Sequence, residues 1–176
     1  ITALNAAITE LGYQSGLFTD TPAFQVNQDM QTYTRSDYGQ AIEGLTVPSA
    51  VFGIQTPLAQ GMTQLEQALS SAGGSTAVIL FSDGGENRGG SPAGVAQDLY
   101  ARHDVCIHVI NYAQSQEEIE VLDRVAALND CTVMISGEDM QDEMAVQQFA
   151  SEVFYDEVAV EEDEDGDGVV DSLDQC

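Results

Sequence analysis

There is no lysine in these 176 residues, and only 4 arginines stand against 30 aspartates and glutamates. The formal net charge is −26 at pH 7. A surface of that sign offers phosphates no cationic counterpart, so nucleic acid and anionic membranes are excluded as partners, while cations are attracted. Eleven of the acids fall between Glu152 and Asp174, which leaves 19 acids against the 4 arginines elsewhere; the acidity is general, with a concentration at the end. The missing lysines also suit a salty habitat. Long apolar runs are lacking too: none reaches the length of a bilayer span, and no signal peptide is present. There is no P-loop, no G-x-S-x-G elbow and no paired histidine suggesting zinc. The chain opens on Ile1 inside a helical pattern and stops at Cys176 inside a motif, so it reads as a piece of something longer.

What is present is a globular composition, 43% hydrophobic, enough for one sizeable core and a tail. Apolar spacing predicts helices over 1–11, 37–45, 57–71, 92–102, 117–128 and 140–154. Strands are predicted over 13–18, 30–34, 77–82, 105–112 and 131–135. Thr56 before Pro57 suits an N-cap followed by proline at the first helical position. Strands alternating with helices imply an α/β fold: a doubly wound, mostly parallel sheet with helices on both faces. The runs AVILF and VCIHVI fit strands buried on both sides. Residues 1–156 form this domain, and 157–176 are a separate acidic segment.

That segment contains DEDGDGVVDSLD. Read as a twelve-residue loop, it sets carboxylates at positions 1, 3, 5, 9 and 12: Asp163, Asp165, Asp167, Asp171 and Asp174. Gly168 stands at position 6, where an EF-hand loop turns sharply, and Val169 at position 7 supplies a backbone carbonyl. A hard dication needs six to eight oxygens from a short segment, so the expected cofactor is Ca²⁺. Asp174 stands where an EF-hand has glutamate, and neither flank is a clear amphipathic helix. Followed by Cys176, the spacing resembles the thrombospondin type 3 repeat, whose calcium-bound form stiffens a linker between domains.

Asp83 ends the apolar strand in SDGGEN, and Thr56 opens a helix in GIQTPLAQG. Together they resemble the von Willebrand factor A domain. The resemblance implies a metal-ion-dependent adhesion site at the C-terminal edge of the sheet, with Thr56 and Asp83 as ligands of Mg²⁺ or another divalent cation and a protein partner's carboxylate in the open coordination position. The family's D-x-S-x-S motif is absent, so the resemblance also implies that the first strand is missing. The family's order puts that strand between 13–18 and 77–82; a gap, an abnormal pairing or a substitute strand is expected there. The combination of A domain and type 3 repeat resembles envelope proteins that end in a peptidoglycan-binding domain of the outer-membrane protein A type. Cell envelope or exterior is the expected location.

Cys106 and Cys131 each open a predicted strand. As parallel neighbours they share one end of the sheet, where a disulfide fits the geometry; two buried thiols are the alternative. Cys106 and His108 share a strand face, but the strand is apolar and no orienting third group is evident for a nucleophile. His103, near a helix end, reads as a favourable surface charge. The function expected is therefore a non-enzymatic adhesion or scaffold module. The alternatives are a metal-dependent hydrolase using Asp83, which needs a second carboxylate cluster at the same edge that the sequence does not show, and a structural spacer.

Overall fold

The computed structural model describes residues 1–46 and 57–155. Its centre is β4 (Val105–Asn111), parallel to β3 (Thr76–Ser82) on one side and β5 (Met134–Ser136) on the other. Side chains of β4 alternate between two cores. Val105, Ile107 and Val109 join Leu58 and Met62 of α3 (Leu58–Gln64), Leu99 of α5 (Pro92–His103), and Leu122 and Val125 of α6 (Gln116–Ala126). Ile110 joins the opposite cluster, with Leu4 of α1 (Thr2–Ala7) and Phe149 of α7 (Glu143–Phe154). Apolar contact on both faces is why this strand reads as a continuous apolar run. The layered α/β arrangement is the one the alternating elements imply.

β3 departs from expectation. Val78 and Leu80 pack toward the first cluster, Ile79 and Phe81 toward the second, yet all four are only half-buried. The cause is its position. Among the described residues β3 has a strand neighbour on the β4 side alone. β1 (Gln14–Thr19) and β2 (Gln25–Thr32) form their own antiparallel ribbon, which no backbone ladder joins to β3. Of the three outcomes expected between 13–18 and 77–82, a gap is what the described residues show.

Several boundaries move, each for a local reason. The first helix stops at Ala7 because Ile8 turns extended, and Arg35 caps it: its guanidinium donates to the carbonyls of Asn5 (3.3 Å) and Ile8 (2.8 Å). Leu11, counted in the apolar period, is 63% exposed. The helix predicted over 57–71 divides at Leu65, whose N–H bonds Met62 O in a tighter 3₁₀ turn, and continues as α4 (Glu66–Ser71). α2 (Arg35–Glu43) begins two residues early, capped by the Thr34 hydroxyl. The last helix starts at Glu143 rather than Met140. Asp142 accepts N–H bonds from Met144 and Ala145, and a 3₁₀ turn (Asp139–Gln141) precedes it. Among the described residues, no helix is long and apolar enough to cross a membrane.

Candidate functional site

The turns after β3 and β4 crowd the C-terminal edge of the parallel sheet. Where β3 ends, Ser82 Oγ accepts the N–H of Gly84 (3.0 Å) and Asp83 Oδ1 accepts that of Gly85 (2.9 Å). Asp83 is exposed, and its Oδ2 makes no hydrogen bond within the described residues. Gly84 is buried at φ +77°, and a Cβ there would overlap the carbonyl of Glu118 in the first turn of α6. The Asp83 turn is therefore seated on a helix start.

That helix start is itself well fixed. Ser115 Oγ accepts Glu118 N–H (3.3 Å), and Glu118 Oε2 accepts the N–H groups of Ser115 (3.0 Å) and Gln114 (3.1 Å). Bonding to Ser115 and then Gln114 holds the Glu118 carboxyl below the ordinary carboxylate range.

A second seam joins the Asp83 loop to α3. Pro57 and Glu86 form an isolated antiparallel bridge. Glu86 Oε2 accepts the N–H of Ala59 (2.9 Å), and its Oε1 accepts that of Arg88 (2.7 Å). Thr56 lies outside the described residues, but its chain neighbour Pro57 is thus fastened three residues from Asp83. The capping expectation is corrected: Pro57 itself is the N-cap, without a side-chain cap of its own, and Glu86 satisfies the helix start from across the loop. Local spacing rules find caps a few residues away, and Glu86 is 27 residues away. Asp20, just after β1, packs against Gly61 of α3 and was equally invisible to spacing.

Asp83 supplies a hard oxygen donor suited to Mg²⁺ or Ca²⁺. Among the described residues, no three His, Cys, Asp or Glu side chains converge to hold a metal ion. The described residues thus supply no coordination shell around Asp83. For hydrolysis the nearest second carboxylate on this loop is Glu86, and both its oxygens are occupied by backbone N–H groups. The calcium-loop residues Asp163, Asp165, Asp167, Val169, Asp171 and Asp174 lie outside the described residues, as does Cys176.

At the opposite edge of the sheet, Cys106 and Cys131 are joined in a disulfide with Cα atoms 5.8 Å apart. Cys131 does not open a strand: it sits in the turn before β5, which begins at Met134. The turn is tied by Thr132 Oγ1 donating to Asn129 Oδ1 (2.7 Å). With its sulfur in the disulfide, Cys106 is no nucleophile. His108 is buried, its Nδ1 accepting Val133 N–H (3.1 Å) and its ring meeting the Phe149 ring edge-on. Burial pushes its pKa down. His103 Nε2 lies 3.0 Å from Glu66 Oε1, and Arg102 bridges the same carboxylate, so Glu66 ties α4 to the end of α5. Hydrogen bonding to His103 is the main cause holding Glu66 below the ordinary carboxyl value.

A parallel sheet between helical layers, with its loops gathered at the C-terminal edge, defines a von Willebrand factor A-like fold. Solved structures bear the same architecture. Over 86% of its length the chain matches BatB, a conserved hypothetical protein from Bacteroides thetaiotaomicron, with a TM-score of 0.64, 12% identity and 82% of that chain covered. The same share matches proximal thread matrix protein 1 from the mussel byssus, with a TM-score of 0.60 and 20% identity. That mussel protein with a zinc-occupied MIDAS motif matches at a TM-score of 0.59 and 18% identity. The chain spans 39% of the mussel protein's length. No family model and no curated protein matches the sequence.

Proposed function

We propose that the chain is a non-enzymatic protein-interaction or scaffold module that works through a divalent cation at the C-terminal edge of its sheet. The observation that carries this reading is the clasp of Pro57 and Glu86, which draws the strand-end loop of Asp83 to the start of α3, the helix that Thr56 precedes in the sequence. The zinc-occupied MIDAS motif of the mussel neighbour lends it support. In this reading Thr56 and Asp83 are two ligands, and a D-x-S-x-S segment supplies the others. That segment ends one further strand, ahead of Ile1, which pairs along the open edge of β3. A partner's carboxylate completes the cation's shell. The test uses a longer form carrying that strand. Mg²⁺ is expected to raise its melting temperature, and Asp83→Ala or Thr56→Ala to abolish both the gain and partner capture. A longer form indifferent to Mg²⁺ overturns the reading. Turnover of phosphoesters with Mg²⁺ would instead favour a hydrolase.

We further propose that 157–176 is a calcium-stiffened linker to a following domain, with peptidoglycan contact through that domain and the cell envelope or exterior as its location. The spacing of Asp163, Asp165, Asp167, Asp171 and Asp174 around Gly168 supports the linker. The Cys106–Cys131 disulfide supports an oxidising compartment. Calorimetry on the tail peptide is expected to give a calcium Kd on the order of 10⁻⁴ to 10⁻³ M, abolished by Asp167→Ala. Absence of any calcium heat removes the linker reading. Free alkylation of both cysteines without reductant removes the location.

A further inference from the structure

Tyr112 follows β4, and its N–H donates to the carbonyl of Ser82 (2.8 Å), the residue before Asp83. Tyr112 is 44% exposed. Behind its ring, Gly137 N–H donates to Asn111 O (2.7 Å), and a Cβ on Gly137 would overlap the ring. Glycine thus lets the ring lie against backbone. An exposed aromatic held in this way has little rotamer freedom left to lose on binding.

The surroundings fix the sign of what it meets. Exposed carboxylates belong to each loop around it: Asp83 after β3, Glu117 in the first turn of α6, and Glu138 and Asp139 after Gly137. Three of the four arginines are engaged elsewhere. Arg35 caps α1, Arg102 pairs with Glu66, and Arg124 bonds Glu120 O. Only Arg88 belongs to a loop of this edge.

We propose that Tyr112 is a docking platform on which a protein partner lays an arginine, stacked on the ring beside Asp83. Cation–π attraction and a nearby carboxylate act together on a guanidinium, which stacks more readily than an ammonium. Tyrosine and arginine are also the residues that concentrate binding energy at interfaces. The inference rests on reading this edge as partner-facing, and it is tested without the cation, which competes with a guanidinium for Asp83.

The test is an NMR titration of this chain in EDTA with the capped peptide acetyl-Gly-Arg-Gly-amide and with its uncharged citrulline counterpart. Saturable shifts are expected at the Tyr112 ring, Asp83 and Gly137, with the citrulline peptide about fivefold weaker. Tyr112→Phe should keep the response and Tyr112→Ala should remove it. Tyr100→Ala, at a tyrosine 37% exposed on α5, should leave it unchanged. Shifts spread over the acidic surface, shifts insensitive to Tyr112→Ala, or no shifts at all each overturn the proposal. Since EDTA is present throughout, this result stands apart from the Mg²⁺-dependent melting of the longer form.

Discussion

Glu86 Oε2 lies 2.9 Å from the backbone nitrogen of Ala59, and one hydrogen bond joins the loop after β3 to the first turn of α3. A carboxylate at that position satisfies an orphan helix donor and meets the positive end of the helix dipole. Glu86→Ala should cost about 1 kcal/mol, seen as a lower urea midpoint, and should speed amide exchange at Ala59. Unchanged exchange at Ala59 would mean that the bond does not hold the two loops together.

Gly84 and Gly89 give a paired test of how tightly the Asp83 turn is seated. Both have positive φ, +77° and +82°, but a Cβ on Gly84 meets the Glu118 carbonyl while one on Gly89 meets nothing within 4 Å. Gly89→Ala should cost only the left-handed backbone term, about 1 kcal/mol. Gly84→Ala should cost about 2–3 kcal/mol, because the overlap is with backbone that cannot swing aside. Equal urea midpoints for the two variants would show that the turn gives way without resistance.

The disulfide closes a loop with a sequence separation of 25. In the chain-entropy account, its loss destabilises by about 3 kcal/mol. Cys106→Ala/Cys131→Ala should unfold at lower urea than the oxidised protein. Reductant should bring the parent down to the variant and leave the variant unmoved. A parent indifferent to reductant would exclude any stabilising role for the link.

His108 predicts a pH dependence with a definite sign. Unfolded, it takes up a proton near its ordinary 6.5; folded, burial moves that step to lower pH. Between the two values the unfolded chain binds more protons, so stability falls as pH drops through the window. Below the folded value this group contributes no further change. Loss of carboxylate charge, with Glu66 and Glu118 titrating below the ordinary carboxyl range, belongs to a more acid region. The difference in urea midpoint between pH 7.5 and 5.5 should therefore shrink in His108→Gln. An identical difference would place the proton elsewhere.

The parts legible in the sequence are those whose signal is local. β4 carries a continuous apolar run because both its faces are covered, and α6 shows Leu122 and Val125 at helical spacing after a capping box. Asp83 is legible because a strand end and a turn coincide there. β2 is harder to read: QVNQDMQT has little alternation, since Val26 is exposed and Gln28 is buried. Hairpin pairing with β1, not its own pattern, makes it a strand. Glu86 and Tyr112 act through contacts with Ala59 and Gly137, which no spacing rule connects to them. The half-burial of Val78 to Phe81 is invisible for a different reason, because composition reports what a strand prefers and not how many neighbours it has.

The uncharged edge of β3 bears on how the protein behaves in bulk solution. Its 7 residues, TAVILFS, present one row of backbone donors and acceptors that no described strand pairs. Such a row is a template for the same row on another molecule. Mutual repulsion opposes that pairing, since each copy carries a net charge of −26. That repulsion reaches about 10 Å at 0.1 M salt and only about 3 Å at 1 M. Ionic strength therefore governs colloidal stability for any form of the chain with this edge open, and light scattering should register self-association as salt is raised.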